Sequence, residues 1–499
     1  MRLGRVYLDV SHFVTGNQSQ LAACMFISTR CLLASLFLSG VAWGAEDRPN
    51  IVVVLCDDLG YGDLECYGHP VIKTPHLNEL AETGMLFTDF YSTAPVCSPS
   101  RVGLLTGRSP NRAGVYDWIP EAKKATQNRR ELVHMRASEI TIAKLLKDAG
   151  YQTCMAGKWH CNSEFNNERQ PQPGDFGFDH WLATQNNASP SHRHPRNYVR
   201  NGDEVGLIED FSCQIVVDEA ITWLKTCDSD RPFFIYAAFH EPHEPIESPP
   251  ALVETYVGSA KNRHEAQYFA NVANVDAAVG ELLAGLEKLN RRDNTLIVFT
   301  SDNGPETLKR YGGAVRSYGR PGPLRGMKLH TTDAGFRVAG VMNWKGRIRP
   351  AGKPVSTPLS ALDLLPTFCA LANAKAPSHL ILDGTNFLPV LDGKQLVREK
   401  PLVWVYFNAL NDARVAMRDG RWKVLAKLNG GKLAKLQNVT ADSASLVRDA
   451  KLTDIEVYDL GTDIGESNNI AAVDPARTAR LKATLEQQYR ELVQNSHAW

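Results

Sequence analysis

Four short apolar runs, each ending in polar residues able to do chemistry, constrain this chain most. Ile51-Val-Val-Val-Leu-Cys56 runs into Asp57-Asp58, and Thr153-Cys-Met-Ala-Gly157 runs into Lys158-Trp159-His160. Phe233-Phe-Ile-Tyr-Ala-Ala-Phe239 leads to His240-Glu-Pro-His243. Thr295-Leu-Ile-Val-Phe-Thr300 leads, after one serine, to Asp302-Asn303-Gly304. Continuous β-branched and aromatic runs of this length read as strands buried on both faces, as in a parallel sheet. Helical patterns lie between them at 138–149, 216–225 and 266–289. The alternation predicts an α/β fold with a doubly wound, mostly parallel central sheet flanked by helices. Ligands in such folds bind outside the carboxyl ends of the strands. Four strands would then deliver acid, lysine, histidine and amide groups to one edge.

A last helix near 362–372 closes this unit, and Pro/Gly-rich text follows through Gly393. Beyond it, 402–406, 413–417 and 422–425 alternate like antiparallel strands, and Asp474-Pro475 caps an amphipathic helix over 476–493. The expected organisation is a catalytic domain over 46–389 and a smaller α+β domain, antiparallel sheet plus helix, over 390–499. The apolar run CLLASLFLSGVAWGAED from Cys31 has the length of a signal-peptide core and ends in small residues. Residues 1–45 are therefore read as an export signal, with Met25 as an alternative start. The mature protein is expected to be periplasmic or secreted, without an integral membrane segment.

Lys and Arg number 55, and Asp and Glu number 55, so the formal net charge is zero. Nucleic-acid binders carry a basic excess, so that class is excluded, as is a polybasic membrane-surface protein. The ten cysteines form no CxxC pairs, which removes a thiolate zinc site. Cys154–Cys161 and Cys213–Cys227 are open as disulfides or as buried free thiols.

Neighbouring strand residues point to opposite faces. Asp57 and Asp58 can therefore share a ligand only where the strand ends and coils, and Asp302-Asn303 stands in the same situation. Three carboxylates and one amide oxygen are hard donors, favouring Ca²⁺ or Mg²⁺ over Zn²⁺. Either pair alone also reads as a turn. In Cys97-Ser-Pro-Ser-Arg101, Ser98 and Pro99 would start a helix, leaving Cys97 at its N-terminus beside Arg101. That position stabilises an anion or a low-pKa thiolate. A plain catalytic cysteine and an inert capped turn are both open.

Cys97-x-Pro-x-Arg101 followed by Leu105-Thr-Gly-Arg108 resembles the signature of the formylglycine-dependent sulfatases of the alkaline-phosphatase-like superfamily. The similarity spans residue 48 to the C-terminus, and six spaced motifs agree. The resemblance implies that a maturation enzyme oxidises Cys97 to formylglycine, whose aldehyde hydrate attacks sulfur and whose second hydroxyl expels sulfate. It implies Asp57, Asp58, Asp302, Asn303 and residue 97 as calcium ligands. Arg101 and the calcium would hold the sulfate oxygens, while Lys158 and Lys328 neutralise developing charge. His160 would orient the hydrate. His243, matched to the family's Pro-His-x-Pro pattern, would protonate the leaving oxygen, with His240 as a supporting or substrate contact. His-Glu-Pro-His is not a zincin motif, since its histidines are three apart and Pro242 interrupts any helix. Met327 and Leu329-His330 replace the glycines that usually flank the second lysine, and Asp333-Ala334 stands where Glu-Gly is common.

Asn187 and His192, with Asn186, Arg193 and Asn197, are candidate substrate contacts, and 177–181 is a candidate pocket wall. The expected activity is hydrolysis of sulfate monoesters of sugars, polysaccharides or aryl alcohols. Pro305-Glu306 and the Pro-Gly-Pro-Leu-Arg325 run look similar to enzymes acting on galactosamine-type sugars. A phosphomonoester or phosphonate hydrolase of the same superfamily is an alternative, as is a sulfated-glycan-binding protein without catalysis.

Overall fold

The computed structural model describes residues 48–122 and 130–499; the expected export signal lies outside them. Eleven strands form the main sheet: β1 (Asn50–Cys56), β2 (Met85–Tyr91), β3 (Gln152–Lys158), β4 (His180–Thr184), β5 (Tyr198–Arg200), β6 (Asp203–Gly206), β7 (Phe233–Ala238), β8 (Thr295–Ser301), β9 (Arg337–Trp344), β10 (Pro354–Val355) and β11 (Leu359–Ser360). Their order is β10-β2-β9-β8-β1-β7-β3-β4-β5-β6, with β11 beside β2. The centre, β8-β1-β7-β3-β4, is parallel, and antiparallel strands β9 and β5 flank it.

The central strands are buried on both faces, as their unbroken apolar text requires. Val52, Val54, Ile235, Ala237, Ile297 and Phe299 face one core with helices Ser212–Leu224 and Arg263–Lys288. On the opposite face Phe234 packs on Phe368 of helix Leu364–Ala372. The helix expected over 138–149 is shorter, Ile142–Asp148, because Thr141 caps it by accepting from the Lys144 amide.

The register levels the strand ends. Leu55 pairs with both Thr300 and Ala238, and Ala238 pairs with Gly157. Asp57, Asp302, Lys158 and His240 thus leave one sheet edge together. Gly157 has φ +107°, and a Cβ there would lie 1.8 Å from the Ala238 carbonyl oxygen. Only glycine lets β3 and β7 stay this close before Lys158.

A separate antiparallel sheet, β12 (Leu402–Val405), β13 (Val415–Asp419), β14 (Trp422–Leu428) and β15 (Leu452–Asp459), is covered on one face by helix Pro475–Gln494. Its other face meets the main sheet's edge. There Trp404 stacks on Phe336 at 4.2 Å and donates to the Ser92 carbonyl. All eight cysteines among the described residues are free, which excludes both sequence-suggested disulfides in this structure.

Candidate active site

Four strand ends and one helix N-terminus build the site. Backbone bonds extend the ladder past the strands: Asp57 N–H donates to Glu241 O, and Asp302 N–H donates to Cys56 O. Asp58 then takes φ +63°, which breaks strand alternation and turns its carboxylate toward that of Asp57. Ligand atoms of Asp57, Asp58, Cys97 and His243 all lie within 4.8 Å of one another. Cys97 begins helix Cys97–Thr106, after Val96 in extended conformation.

Buried ion pairs hold the acids. Lys158 Nζ lies 2.5 Å from Asp57 Oδ2, and Lys328 Nζ lies 2.6 Å from Asp58 Oδ1. Arg101 donates to Asp302 Oδ2 through Nε at 2.9 Å and approaches it through NH2 at 2.7 Å. Its NH1 donates to the Lys158 carbonyl. Arg101 is fully buried, with no exposed surface, and does not line the cleft. Its guanidinium holds Asp302 through two nitrogens.

Burial and mutual repulsion dominate the electrostatics of the acids. Burial pushes Asp58 up to about 6 although Lys328 opposes it. Burial and then Asp57 push Asp302 up to about 7 despite Arg101. Asp57 alone stays well below the usual carboxylate range: burial opposes this, but Lys158, His243 and Arg101 hold it down. Asn303 donates Nδ2 to Asp58 Oδ1 at 2.7 Å, while its own Oδ1 is buried without a partner. An orphaned amide oxygen beside three crowded carboxylates fits a hard divalent cation, Ca²⁺ or Mg²⁺.

Cys97 is not a low-pKa thiolate in this setting. Burial pushes its thiol well up, outweighing Lys158 and Lys328. The sulfur instead donates to Asp57 Oδ1 at 3.5 Å.

The site opens into a cleft of about 460 Å³ lined by Cys97, His160, Asn187, His243 and Lys328. His160 Nε2 donates to Ile119 O, leaving Nδ1 buried and unpartnered. Burial, with Lys158 and Arg101, keeps this imidazole neutral. His243 donates Nδ1–H to Glu244 O at 2.5 Å and keeps Nε2 3.6 Å from Asp58 Oδ2. Burial pushes it down to about 3.

His240 and His192 are not in the cleft wall. His240 is buried, bonded to Thr184 Oγ1 at 2.8 Å and edge-on to the Tyr198 ring. His192 is buried against Asn271. Trp118, Glu306, Arg310, Tyr311, Asn408 and Leu410 also line the cleft, and of these only Glu306 had a sequence signal. Arg310 grips Glu306 with two bonds at 2.6 and 2.7 Å, and Glu306 lies 4.0 Å from Lys328. The Glu306–Arg310 spacing of four was available, but it falls in a loop where periodicity says nothing.

A family model described as Sulfatase matches residues 49–374. N-acetylgalactosamine-6-sulfatase of Canis lupus familiaris is 34% identical over 79% of this chain and 74% of its own length. Arylsulfatase A of Homo sapiens is 33% identical over 91% of this chain and 89% of its own. Among solved structures, Ps i-CgsB in complex with k-i-k-neocarrahexaose superposes with TM-score 0.74 at 28% identity, covering 90% of this chain and 94% of that one.

Proposed function

We propose, from the premise that this chain belongs to the sulfatase family, that it hydrolyses sulfate monoesters of sugars using a formylglycine made from Cys97 and a bound Ca²⁺. Membership makes it an enzyme that cleaves sulfate esters. The finer reading is carried by one observation: Cys97, at a helix N-terminus, points its sulfur at Asp57 inside a crowded acid cluster flanked by two lysines.

Asp57, Asp58, Asp302 and Asn303, with residue 97, would hold the cation, which supplies charge stabilisation to sulfate oxygens. Formylglycine at 97 would supply a hydrated aldehyde as nucleophile, so a maturation enzyme is an implied partner. Lys158 and Lys328 are preorganised cations at the edge of that position, and they suit the charge that grows on the transferring group. His160, whose unprotonated Nδ1 is buried without a partner, would act as a proton acceptor. His243 has its Nδ1–H fixed on Glu244 O, so Nε2, unprotonated in this state, is the nitrogen that would take up a proton and deliver it to the leaving oxygen.

The relatives named N-acetylgalactosamine-6-sulfatase and the neighbour bound to neocarrahexaose support a sulfated sugar as substrate. Export to the periplasm or outside the cell is part of this reading. Among the described residues no helix is long and apolar enough to cross a membrane. The testing assay compares sulfate release from sulfated galactosamine and galactose sugars with that from nitrocatechol sulfate, beside matched phosphate esters and phosphonates. Turnover of the sulfates carries the reading; preferential turnover of phosphate esters or phosphonates would refute it.

A further inference from the structure

Lys328 stands next to a strained residue. Leu329 has φ +68°, in the left-handed region where a bulky side chain is rare. Such a backbone persists only where its surroundings over-determine it. Leu329 is held from two sides: its N–H donates to Pro95 O, two residues before Cys97, and its carbonyl accepts from the Leu410 amide. Thr331 is held in the same way. Its N–H donates to Asn411 Oδ1 at 2.9 Å, and its hydroxyl oxygen accepts from Asn411 Nδ2 at 2.8 Å. Leu410 and Asn411 lie in the connection between β12 and β13.

Farther along, the same segment is gripped by a buried cation that none of the chemistry above uses. Lys423, on β14, has no exposed surface. Its ammonium donates to Asp333 Oδ1 at 2.7 Å, lies 3.7 Å from Glu466 Oε1 and sits 4.2 Å from the centre of the Phe336 ring. Glu466, beyond β15, accepts the Asp333 amide through Oε2 at 2.8 Å, and its carbonyl accepts from Arg325 NH1. Glu466 is also left-handed, with φ +48°. Burial opposes ionisation of Asp333, but Lys423, Arg337 and Arg418 win and hold it at about 2. Lys423 therefore faces a charged carboxylate.

The gripped segment touches the site at two places. Asp333 opens helix Asp333–Phe336, whose Gly335 carbonyl accepts from the amide of Gly304, the residue after Asn303. A Cβ on Gly304 would lie 1.7 Å from Ala334 O, so the two backbones are in close contact. The Lys328 amide donates to Pro305 O. Residues 303–305 and 328–335 are thus tied into one piece, and the four-stranded sheet holds that piece through Asn411, Lys423 and Glu466. None of these three lines the cleft.

We propose that Asn411, Lys423 and Glu466 are positioning residues that fix Lys328 in the cleft, so that the four-stranded sheet takes part in sulfate-ester cleavage without touching substrate. The inference rests on the assignment of Lys328 above as a cation at the transferring group.

The test is a double-mutant cycle on full-length, matured, calcium-loaded protein. kcat and KM are read on the most rapidly cleaved sulfate of the panel above, with denaturant unfolding beside them. Asn411→Ala removes bonds made by a half-buried loop side chain, so folding is not at issue. It should lower kcat about tenfold, within the roughly 10²-fold that a misplacement of about 1 Å costs. KM should stay within about twofold, since the lost interaction belongs to the transition state. Glu466→Ala should act alike, and Glu466→Gln, which keeps an acceptor for the Asp333 amide, should regain most of the loss. Lys423→Met should follow them in kcat and also lower the unfolding midpoint, because Asp333 loses its nearest cation.

Lys328→Met should itself lower kcat by about 10²–10³, as loss of one preorganised donor does, which leaves turnover measurable. In that background Asn411→Ala and Glu466→Ala should cost nothing more, because the group they position is gone. A merely structural role would give the same fold loss in both backgrounds, and that additivity would overturn the proposal. Unchanged kcat in Asn411→Ala and Glu466→Ala would overturn it as well. Failure of the underlying reading shows separately, as unchanged kcat in Lys328→Met, and it would remove the proposal too.

Discussion

The sulfur of Cys97 lies 3.5 Å from Oδ1 of Asp57, a residue forty positions earlier at the end of a different element. This contact puts the residue proposed for conversion inside the proposed cation site. Nucleophile formation and metal binding therefore share one location, and each has consequences for the other.

Asp302 separates charge from shape. Both Asp302 and its partner Arg101 are fully buried. Asp302→Ala strands an uncompensated guanidinium and should cost about 3–5 kcal/mol of unfolding free energy. Asp302→Asn keeps an acceptor for Arg101 and should stay folded. Its calcium affinity should fall by at least about tenfold, since loss of even an outer partner of a metal ligand costs that much. Denaturant unfolding and calcium titration of the two variants check this; unchanged stoichiometric calcium in Asp302→Asn would refute the ligand assignment.

Chelation should destabilise the unsubstituted protein, by an amount that grows with the logarithm of the free calcium removed. At about 100 times the dissociation constant, bound metal adds about 2.7 kcal/mol. Unfolding in EDTA against excess calcium measures it, and Asn303→Ala should shrink the difference. Identical curves would remove the cation from the account.

His243 and His240 are distinguished by leaving group. For His243→Ala, kcat/KM on a sulfated sugar should drop by about 10²–10⁴, the usual range for a lost proton donor. A nitrocatechol leaves with little help, so its drop should be clearly smaller. His240 is buried against Thr184 and Tyr198, so His240→Ala should act alike on both substrates, mainly through KM and stability. Equal losses on both substrates for His243→Ala would contradict the acid role.

Glu219 gives a pH test far from the metal site. It accepts from both Arg200 nitrogens at 2.7 Å and pairs with His180 Nε2 at 2.7 Å. Burial opposes its ionisation, but Arg200 and His180 win and hold it at about 2. Its folded pKa is thus depressed below the unfolded value of about 4.3. The stability it contributes is complete above that value and is lost as pH falls toward 2. Compared with Glu219→Gln, the unsubstituted protein should hold an advantage on the order of 1–2 kcal/mol at neutral pH, discounted because Arg200 is partly exposed. That advantage should vanish near pH 2; one that grew with acidification would have the wrong sign.

Legibility in the sequence followed locality. The strand ends at Asp57, Lys158, His240 and Asp302 could be read because each follows an unbroken apolar run that only a doubly buried strand explains. The Cys97 helix start could be read from Ser98-Pro99. Strand β15 went unread, because its text, Leu452-Thr-Asp-Ile-Glu-Val-Tyr-Asp459, pairs with β14 across a register shift near Ala426 that breaks simple alternation. What Arg101 touches could not be read at all: Asp302 is 201 residues away and meets it only through the sheet. The same holds for Trp118, whose ring carries the Arg130 guanidinium 4.3 Å from its centre.

The central claim, that Cys97 is converted and that activity depends on the conversion, is tested most directly by the mass of the peptide holding Cys97-Ser-Pro-Ser-Arg101, measured beside the specific activity of the same preparation. An aldehyde is expected in place of the thiol, with activity rising in proportion to the converted fraction and near zero in Cys97→Ser made in a host that modifies only cysteine. Full sulfate release from protein whose Cys97 is entirely an unmodified thiol would contradict it.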